Sequence, residues 1–256
     1  MVDIHCHILP QMDDGAKNLE SSISMAKQAI SDGINTIVAT PHSQDGLFFP
    51  TCKDVVKELN LLNEKINDNN LSIKLISGME VHLCHNLYSK IQSNTVLTIN
   101  NSKYLLLELP GQYIPPFFDE EIFQLKINGI TPILAHPERN LTILKDWTVL
   151  YDIVEKGVLI QITSASITGK FGHEIFKCAK NIIKHRLAHI IASDAHSPDS
   201  RPPVLSESLR ITEKLLGSSK EAREMVDERP NKIINNIKIE IPEPFKRKKF
   251  YFSNLF

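Results

Sequence analysis

Apolar and β-branched residues cluster along the chain in seven short runs, most of them followed by a stretch of helical periodicity. The runs are "VDIHCHI", "TIVATPH", "IKLISGMEV", "YLLLELP", "TPILAHPE", "VLIQITSAS" and "HIIASDAH". Nearly continuous apolar strands that alternate with helices are typical of parallel sheets buried on both faces. The pattern therefore predicts about seven βα units, without an internal sequence repeat.

The segments between these runs have the character of amphipathic helices. Most carry apolar residues at intervals of three and four and end near Gly or Asn. They are "SISMAKQAISDG", "DVVKELNLLNEKI", "FDEEIFQLKING", residues 150–157, "FKCAKNIIKH" and "LSESLRITEKLLG". Consecutive βα units of this number can close into a barrel, whereas an open doubly wound sheet usually carries a Gly-rich phosphate loop after its first strand. The chain has no such loop, so the pattern favours a barrel.

Composition and charge are those of an ordinary globular α/β protein. The chain has 256 residues, of which 42% are hydrophobic and 23% charged, enough to bury a substantial core. The formal net charge of -1 provides no overall field for nucleic acid or an anionic membrane, so we expect no nucleic-acid partner. We also expect a cytoplasmic protein with reduced thiols, because the sequence has no membrane-length apolar run, no signal-peptide pattern and no CxxC pair.

The C-terminal end differs from the rest of the chain. Pro242 and Pro244 precede the stretch "FKRKKFYF", in which a basic cluster is interleaved with aromatic residues. We expect residues 1–240 to form a single barrel domain and residues 241–256 to form an extended tail, which lies on the barrel or contacts a partner.

Side chains that bind metals recur at the ends of the predicted strands. In a βα barrel the carboxyl ends of all strands meet on one face, and this face holds the active site. Taken singly, each residue has an ordinary alternative as a turn cap, a helix N-cap, a surface ion pair or a hydrogen-bonded core histidine. Several buried carboxylates without cations, however, would cost several kcal/mol or more each. We therefore predict a metal centre formed by His5, His7, His42, Glu80, Glu108, His136, Asp194 and His196.

The first strand and the turn after it add detail to this prediction. If residues 2–8 form a strand, alternation directs the side chains of His5 and His7 to one face and that of Cys6 to the other. Either Asp13 or Asp14, with Asp14 favoured, reaches over the same mouth from the following turn. We interpret the remaining histidines as structural or surface residues; they are His82, His85, His173, His185 and His189.

Several motifs in order resemble those of a known superfamily. They are "DIHCHILPQMDDGA", "ATPH", "GMEV", "LLELP", "AHPER", "ITSAS" and "ASDAHSPDSRPP". Together they resemble the PHP superfamily, and closely its metal-dependent protein tyrosine phosphatases from Gram-positive capsule and exopolysaccharide clusters. The likeness covers nearly the whole chain, including the basic-aromatic tail of Bacillus-type members.

The resemblance implies a distorted (β/α)7 TIM-like barrel, the PHP fold, and up to three metal ions per chain, usually manganese. Mixed imidazole and carboxylate ligands without thiolate suit Mn, Fe, Co or Zn, so other divalent transition metals stay open on chemical grounds. The ligands carried over from the family are His5, His7, Asp14, His42, Glu80, Glu108, His136, Asp194 and His196.

The activity implied is hydrolysis of phosphotyrosine on a bacterial tyrosine kinase that regulates capsule or exopolysaccharide synthesis. Two metals about 3.5 to 4 Å apart can activate a hydroxide and hold a phosphoryl oxygen, so no protein nucleophile is needed. A cysteine-based mechanism requires a thiolate beside a phosphate-binding loop with arginine. None of the four cysteines is followed by Arg six residues later, which excludes that mechanism; they are Cys6, Cys52, Cys84 and Cys178.

Two arginines are the expected substrate-binding groups. Arg139 and Arg201 follow strand-end ligands, and a planar guanidinium matches phosphate oxygens; the alternative is an ion pair with a neighbouring helix. His196 or Asp199 is the candidate proton donor to the leaving group, although a phenolate with a pKa near 10 leaves with little help.

Two other functions stay open. The first is another phosphoesterase on the same scaffold, such as a histidinol-phosphate phosphatase. The second is a non-enzymatic module that binds an exopolysaccharide kinase through "FKRKKFYF", although the intact ligand set favours an enzyme. The expected partner is the phosphorylated kinase itself, with a membrane-associated kinase or adaptor as a further candidate for contact with the tail.

Overall fold

The computed structural model describes residues 1–245, which contain nine β-strands, eleven α-helices and three short 3-10 helices. The strands are β1 (Val2–Cys6), β2 (Thr36–Ala39), β3 (His42–Ser43), β4 (Lys74–Ser77), β5 (Glu80–His82), β6 (Tyr104–Glu108), β7 (Thr131–Ala135), β8 (Leu159–Thr163) and β9 (Ile190–Ala192). The helices are α1 (Leu19–Ser31), α2 (Cys52–Asp68), α3 (Leu87–Gln92), α4 (Phe118–Ile127), α5 (Leu141–Lys145), α6 (Leu150–Glu155), α7 (Ser164–Ile167), α8 (His173–Lys184), α9 (Ser206–Leu216), α10 (Ser219–Val226) and α11 (Glu228–Ile234). In residues 1–245 no helix is both long and apolar enough to cross a lipid bilayer.

The strands form one closed, parallel wall. Hydrogen bonds connect them in the orders β1-β2-β4 and β3-β5-β6-β7-β8-β9. After a short break, β3 continues the path of β2 and β5 that of β4. The wall closes between β9 and β1, where the amide of His7 donates to the carbonyl of Ala195 at 2.8 Å and the amide of Asp194 donates to the carbonyl of His5 at 2.8 Å. The expected distorted (β/α)7 barrel is confirmed.

Three details differ from the sequence prediction. The second and third apolar runs are each broken into two strands. At one break Gly78 lies so close to β2 that a Cβ atom there would be 2.8 Å from Val38 Cγ1; at the other, Pro41 has no amide to donate to the ladder. The end of the sixth run forms α7 rather than strand. Helices α3, α5, α7, α10 and α11 were not predicted, because at four to eight residues they are too short to show clear periodicity.

Two hydrophobic clusters lie on the two sides of the barrel wall. The inner cluster fills the barrel and contains alternate strand residues such as Ile4, Leu106 and Ile133. The outer cluster fills the space between wall and helices and includes Leu107 from the same strand as Leu106, together with Met25 of α1. This alternation is what the near-continuous apolar runs reflect, because each strand is buried on both faces.

The first strand departs from strict alternation. Asp3 pairs with Ile37 of the outer cluster and Cys6 pairs with Ala39, so three steps along β1 match two along β2. An extra residue of this kind is a β-bulge, and it changes which side chains face inward. His5 therefore joins Ile4 on the inner side, while Cys6 packs in the outer cluster as predicted.

The chain after α11 closes the bottom of the barrel, at the end opposite the mouth. Ile239 is buried in the inner cluster and Ile241 packs against it. The Tyr104 hydroxyl donates to the carbonyl of Ile237 at 2.8 Å and accepts from the amide of Ile239 at 3.3 Å. The boundary placed after residue 240 stays a prediction. The basic and aromatic residues from Lys246 onward lie outside the described residues, so a tail contact with a kinase or membrane-associated adaptor also stays a prediction.

We expect Tyr104→Phe to lower the free energy of unfolding by about 1 to 2 kcal/mol, because it leaves the buried amide of Ile239 without its acceptor. Urea denaturation measures this change. Tyr113→Phe is the matched control, since Tyr113 is 53% exposed and should change the free energy of unfolding by less than about 0.5 kcal/mol. Equal stability of the two variants would contradict a role for the Tyr104 hydroxyl in closing the barrel.

Candidate metal centre

A fully buried carboxylate forms the middle of the barrel mouth. Glu80 Oε2 lies 3.2 Å from His5 Nε2, 3.3 Å from His7 Nε2 and 3.1 Å from His42 Nδ1. Its other oxygen, Oε1, lies 2.7 Å from His136 Nε2. Four imidazoles from three separate segments of the wall thus surround one carboxylate. The Glu80 side chain faces the inside of the barrel, because Glu80 pairs in register with Leu106 of the inner cluster.

Further carboxylates flank this group. Asp194 Oδ1 lies 3.4 Å from His5 Nε2 and 3.5 Å from His7 Nε2. Asp14 Oδ1 lies 3.4 Å from His196 Nε2 and 3.5 Å from the Nε2 of the His42 side chain. The Glu108 carboxylate lies 3.6 Å from His42 and 3.8 Å from His136.

All nine ligands implied by the family resemblance lie in this cluster. They fall into four overlapping groups, in each of which the candidate donor atoms lie within 4.8 Å of one another. The groups are His7, Asp14, His42 and His196; His5, His7 and Glu80; His5, His136 and Asp194; and His42, Glu80 and Glu108. Sharing of His5, His7, His42 and Glu80 between groups is what a multinuclear centre requires, since bridging ligands hold metals close together.

Left-handed backbone turns bring two of these side chains into the mouth. His136 directly follows β7 and has φ of 32°, and Asp194 lies two residues after β9 with φ of 52°. Residues other than glycine rarely adopt such angles, which cost about 1 to 3 kcal/mol and persist where the surrounding structure enforces them. The side chains of both residues lie in the cluster at the mouth.

Opposite charges stabilise one another in the cluster despite deep burial. Burial raises the pKa of Glu80, but the facing His5 and His136 outweigh it and hold the pKa well below its usual range. Burial likewise raises the pKa of Asp194, and His5 and His7 again outweigh it. Burial lowers the pKa of His5, but attraction to Glu80 and Asp194 raises it overall. The carboxylates are therefore ionised, and the cluster needs positive charge.

The donor atoms fit divalent cations better than they fit one another. Glu80 Oε2 and His42 Nδ1 are buried without a hydrogen-bond partner of suitable geometry among residues 1–245. The Nε2 atoms of His5 and His7 face each other at 3.1 Å, where one proton at most can lie between them. Nitrogen and oxygen donors directed at a common centre without thiolate suit transition metals of the manganese-to-zinc series.

Outer groups orient the candidate ligands. Sequence analysis considered Asp13 only as an alternative to Asp14 at the mouth and did not identify Gln161. Asp13 Oδ2 accepts from His7 Nδ1 at 2.7 Å and from the amide of His42 at 3.0 Å. Gln161 Oε1 lies 2.9 Å from His5 Nδ1. Such partners fix the ring orientation and tautomer of metal-binding histidines. In this geometry Asp14 lies among the candidate ligands and Asp13 lies behind His7. For Gln161 the sequence did contain a signal: strand alternation on β8 places its side chain on the same face as Leu159, which is inside the barrel.

The two predicted arginines reach the same carboxylate. Arg139 Nη1 and Arg201 Nη2 each donate to Asp194 Oδ2 at 2.6 Å, and within residues 1–245 neither arginine forms the alternative ion pair with a helix. Arg201 Nη2 also donates to the carbonyl of Asp194 at 2.9 Å. The Asp199 side chain is exposed and makes no hydrogen bond or ion pair within residues 1–245. His196 lies in the cluster and its Nδ1 is 3.0 Å from the carbonyl of Asp194.

One of the five histidines interpreted as structural or surface residues borders the centre. His82 Nδ1 lies 3.4 Å from Glu108 Oε2, and this hydrogen bond raises the pKa of His82. His85 is largely exposed beside the Phe117 ring, and His173 begins α8. His185 follows α8 and contacts the ring of Trp147, while His189 is buried at the barrel bottom with its pKa lowered to about 3 by burial.

The chain is similar to known proteins of one family. A family model described as "Capsular polysaccharide synthesis, CpsB/CapC" matches residues 1–235. The tyrosine-protein phosphatase YwqE of Bacillus subtilis (strain 168) is 35% identical over 253 residues, covering 98% of this chain and 99% of that protein. A putative tyrosine-protein phosphatase, CapC of Staphylococcus aureus, is 38% identical over 207 residues, covering 81% of each chain.

The fold of the chain is also similar to that of solved structures. A chain from the crystal structures of YwqE from Bacillus subtilis and CpsB from Streptococcus pneumoniae, described as unique metal-dependent tyrosine phosphatases, superposes with a TM-score of 0.91 at 34% identity. The match covers 96% of this chain and 100% of that one. A histidinol phosphate phosphatase from Lactococcus lactis shares the fold alone, with a TM-score of 0.54 at 13% identity over 88% of this chain and 94% of that one.

We expect Asp13→Asn to weaken metal binding about ten- to a hundred-fold, because it removes the charge that orients and polarises the His7 ring. Competition with a coloured chelator measures the affinity. The matched control is Asp68→Asn, whose side chain is 63% exposed and forms an ion pair with Lys65; this variant should bind metal as the unmodified protein does. Unchanged affinity in Asp13→Asn would contradict the orienting role.

Proposed function

The chain belongs to the CpsB/CapC family of capsular polysaccharide synthesis, and on that basis we propose that it is a metal-dependent protein-tyrosine phosphatase. The observation that carries the proposal is the cluster of nine imidazole and carboxylate ligands in a barrel mouth, with two arginines on its rim. The relatives named as tyrosine-protein phosphatases match over nearly their full length, which supports the same activity here.

The proposed substrate is a phosphorylated tyrosine kinase that controls capsule or exopolysaccharide synthesis, and the proposed location is the cytoplasm. The family's role in capsular polysaccharide synthesis supports such a phosphoprotein substrate. Manganese is the proposed metal, at up to three ions per chain, because the motifs resemble those of a family that usually holds manganese; the imidazole and carboxylate donors suit manganese, and Fe, Co and Zn as well. The groups that would hold the ions are the four described above, which share His5, His7, His42 and Glu80.

When bound, such metals supply Lewis acidity, which favours deprotonation of water near neutral pH and neutralises charge on a phosphoryl group. The protein's own contribution is to keep the ligands ionised and fixed. Asp13 and Gln161 hold the rings of His7 and His5 from behind, so that the Nε2 atoms face the centre. Burial of Glu80 and Asp194 excludes bulk water and strengthens the electrostatic interactions at the site.

The arginines bind the phosphoryl group in this proposal. In the structure both guanidinium groups hold Asp194 Oδ2, while Asp194 Oδ1 faces the imidazoles of His5 and His7. Asp194 thus links the metal centre to the arginine pair. Arg139 is 34% and Arg201 25% exposed at the side chain, so both are accessible to an incoming phosphate. A planar guanidinium pairs with two phosphate oxygens as negative charge increases toward the transition state.

The leaving group needs less assistance from the protein than the phosphoryl group does. We propose His196 or Asp199 as its proton donor, and their surroundings differ. Burial lowers the pKa of His196, which keeps the ring neutral near pH 7 and suits it better as a ligand than as an acid. Asp199 is exposed in the turn beside Arg201. A phenolate has a pKa near 10, so either residue contributes modestly.

No cysteine is placed to act as nucleophile in this proposal. Burial raises the pKa of all four thiols, to about 12 for Cys178 and well above its usual value for Cys6, and a protonated thiol is a poor nucleophile. Cys6 packs in the outer cluster, away from the centre that His5 and His7 face.

A histidinol-phosphate phosphatase is the second enzymatic candidate, and only the shared fold supports it. A non-enzymatic binding module is the third. Hydrolysis of a phosphotyrosine peptide, histidinol phosphate and p-nitrophenyl phosphate by the purified protein separates the three. Preference for histidinol phosphate would favour the second function, and inactivity of the metal-loaded protein toward all three would favour the third.

We expect removal of metal by a chelator to abolish phosphotyrosine hydrolysis, and manganese to restore it better than magnesium. Magnesium prefers an octahedral shell of oxygen ligands and keeps its waters, whereas this centre offers five imidazoles. Elemental analysis alongside the assay should give at least two transition-metal ions per active chain. An active preparation with fewer would contradict a multinuclear centre.

We expect Arg139→Ala or Arg201→Ala to lower kcat/KM roughly ten- to a thousand-fold, as loss of one preorganised charge-stabilising donor does. Metal content should not change in either single variant, because the other arginine still holds Asp194 Oδ2. Lysine should restore activity only in part, since it lacks the planar pair of donors. Full activity of Arg201→Ala would reject its role in phosphate binding.

A further inference from the structure

One aromatic side chain at the mouth has no place in the hydrophobic packing. Phe171 lies in the loop between α7 and α8 and is half-buried, yet it belongs to neither the inner nor the outer cluster of residues 1–245. Its ring lies against the two rim arginines. The guanidinium carbon of Arg139 lies 5.2 Å from the centre of the Phe171 ring, and that of Arg201 lies 5.6 Å from it.

The loop is built to present this ring. The amide of Gly172 donates to the carbonyl of Gly169 at 3.0 Å, which closes a tight turn with Lys170 and Phe171 at its tip. Gly169 has φ of 80° and Gly172 has φ of 94°, angles that glycine adopts without strain. The ring therefore reaches the arginines through backbone geometry and not through packing in the core.

The arginines need such a support. Their terminal nitrogens converge on a single oxygen, Asp194 Oδ2, so two like charges lie side by side on the rim. When a phosphate competes for them, each guanidinium leaves part of its contact with Asp194. The face of an aromatic ring attracts a guanidinium without occupying its hydrogen-bond donors, so contact with the ring is compatible with phosphate binding. A cavity of about 80 Å³ beside the ring, lined in part by Arg201 and Ser200, gives the side chain room to move.

We infer that Phe171 is a positioning residue that holds both arginines in place for the phosphoryl group through its ring face. The inference rests on the proposed function in taking the arginines as the phosphate-binding groups. It adds a residue on a separate loop to the site, and it predicts that the aromatic character of Phe171, beyond its volume, determines the affinity for phosphate.

The test compares Phe171→Leu, which keeps an apolar side chain of similar size, with Phe171→Tyr, which keeps the ring face. Inorganic phosphate is the probe, and its Kd is measured by titration calorimetry on the metal-loaded protein. We expect Phe171→Leu to raise this Kd about five- to thirty-fold, as loss of two cation-π contacts implies, and Phe171→Tyr to stay within about two-fold of the unmodified protein. The KM for p-nitrophenyl phosphate should rise in parallel, with metal content unchanged.

Phe123→Leu is the matched control, because Phe123 is 59% exposed on α4 and contacts neither arginine. A shift in Tm without a change in the Kd for phosphate would assign Phe171 a structural role only and overturn the inference. Equal loss in the Leu and Tyr variants would overturn it as well, since shape and not the ring face would then matter.

The result that would reject the proposed function differs from the result that would reject the inference about Phe171. A protein that binds phosphate but does not hydrolyse phosphotyrosine would reject the phosphatase assignment, while the effect of Phe171→Leu on phosphate binding would still decide the inference. If the metal-loaded protein bound no phosphate, the arginines would not be a phosphate site and the inference would fail with it.

Discussion

The carboxylate of Glu80 is fully buried and lies among nitrogen atoms of four histidines, and the compensation of its charge is the constraint on which the rest of the site depends. An uncompensated buried charge costs several kcal/mol, so the imidazoles must converge where the strands end. The closed barrel provides this place, because parallel strands deliver residues from distant parts of the chain to one face. Protons on the imidazole rings compensate the charge of Glu80 only in part. Divalent cations would bind both the carboxylate and the facing imidazole nitrogens.

Asp194 connects the buried cluster to the two arginines on the rim of the mouth. One of its oxygens faces the imidazoles and the other accepts from both Arg139 and Arg201. In the proposed function a single side chain would therefore couple the binding of metal to the binding of phosphate, and the backbone of this residue is held in a left-handed turn. The Phe171 ring lies beside both guanidinium groups, and in our inference this contact holds the arginines in place for a phosphoryl group.

Much of this architecture could be predicted from the sequence because it follows from local patterns. The alternation of apolar strands and amphipathic helices is a property of short segments, and it predicted the parallel barrel and its seven units. The candidate ligands sit directly at the ends of those strands, where position along the chain is enough to assign them to the mouth. The breaks at Pro41 and Gly78 were missed. The break at Gly78 involves a close approach to the neighbouring strand β2, which no local pattern shows, and the break at Pro41 lies within a run that otherwise has the pattern of one strand.

By itself, then, the sequence determined the barrel, the face on which chemistry is concentrated and the residue types gathered there. Only the tertiary structure decided the contacts across the wall. The bulge in β1 brings His5 inward although Asp3, of the same parity, pairs with a residue of the outer cluster. The placement of Asp13 behind His7, of Gln161 behind His5 and of both arginines on Asp194 likewise depends on which strands become neighbours. Strand register and closure are set by packing of the whole chain, so no local pattern contains them.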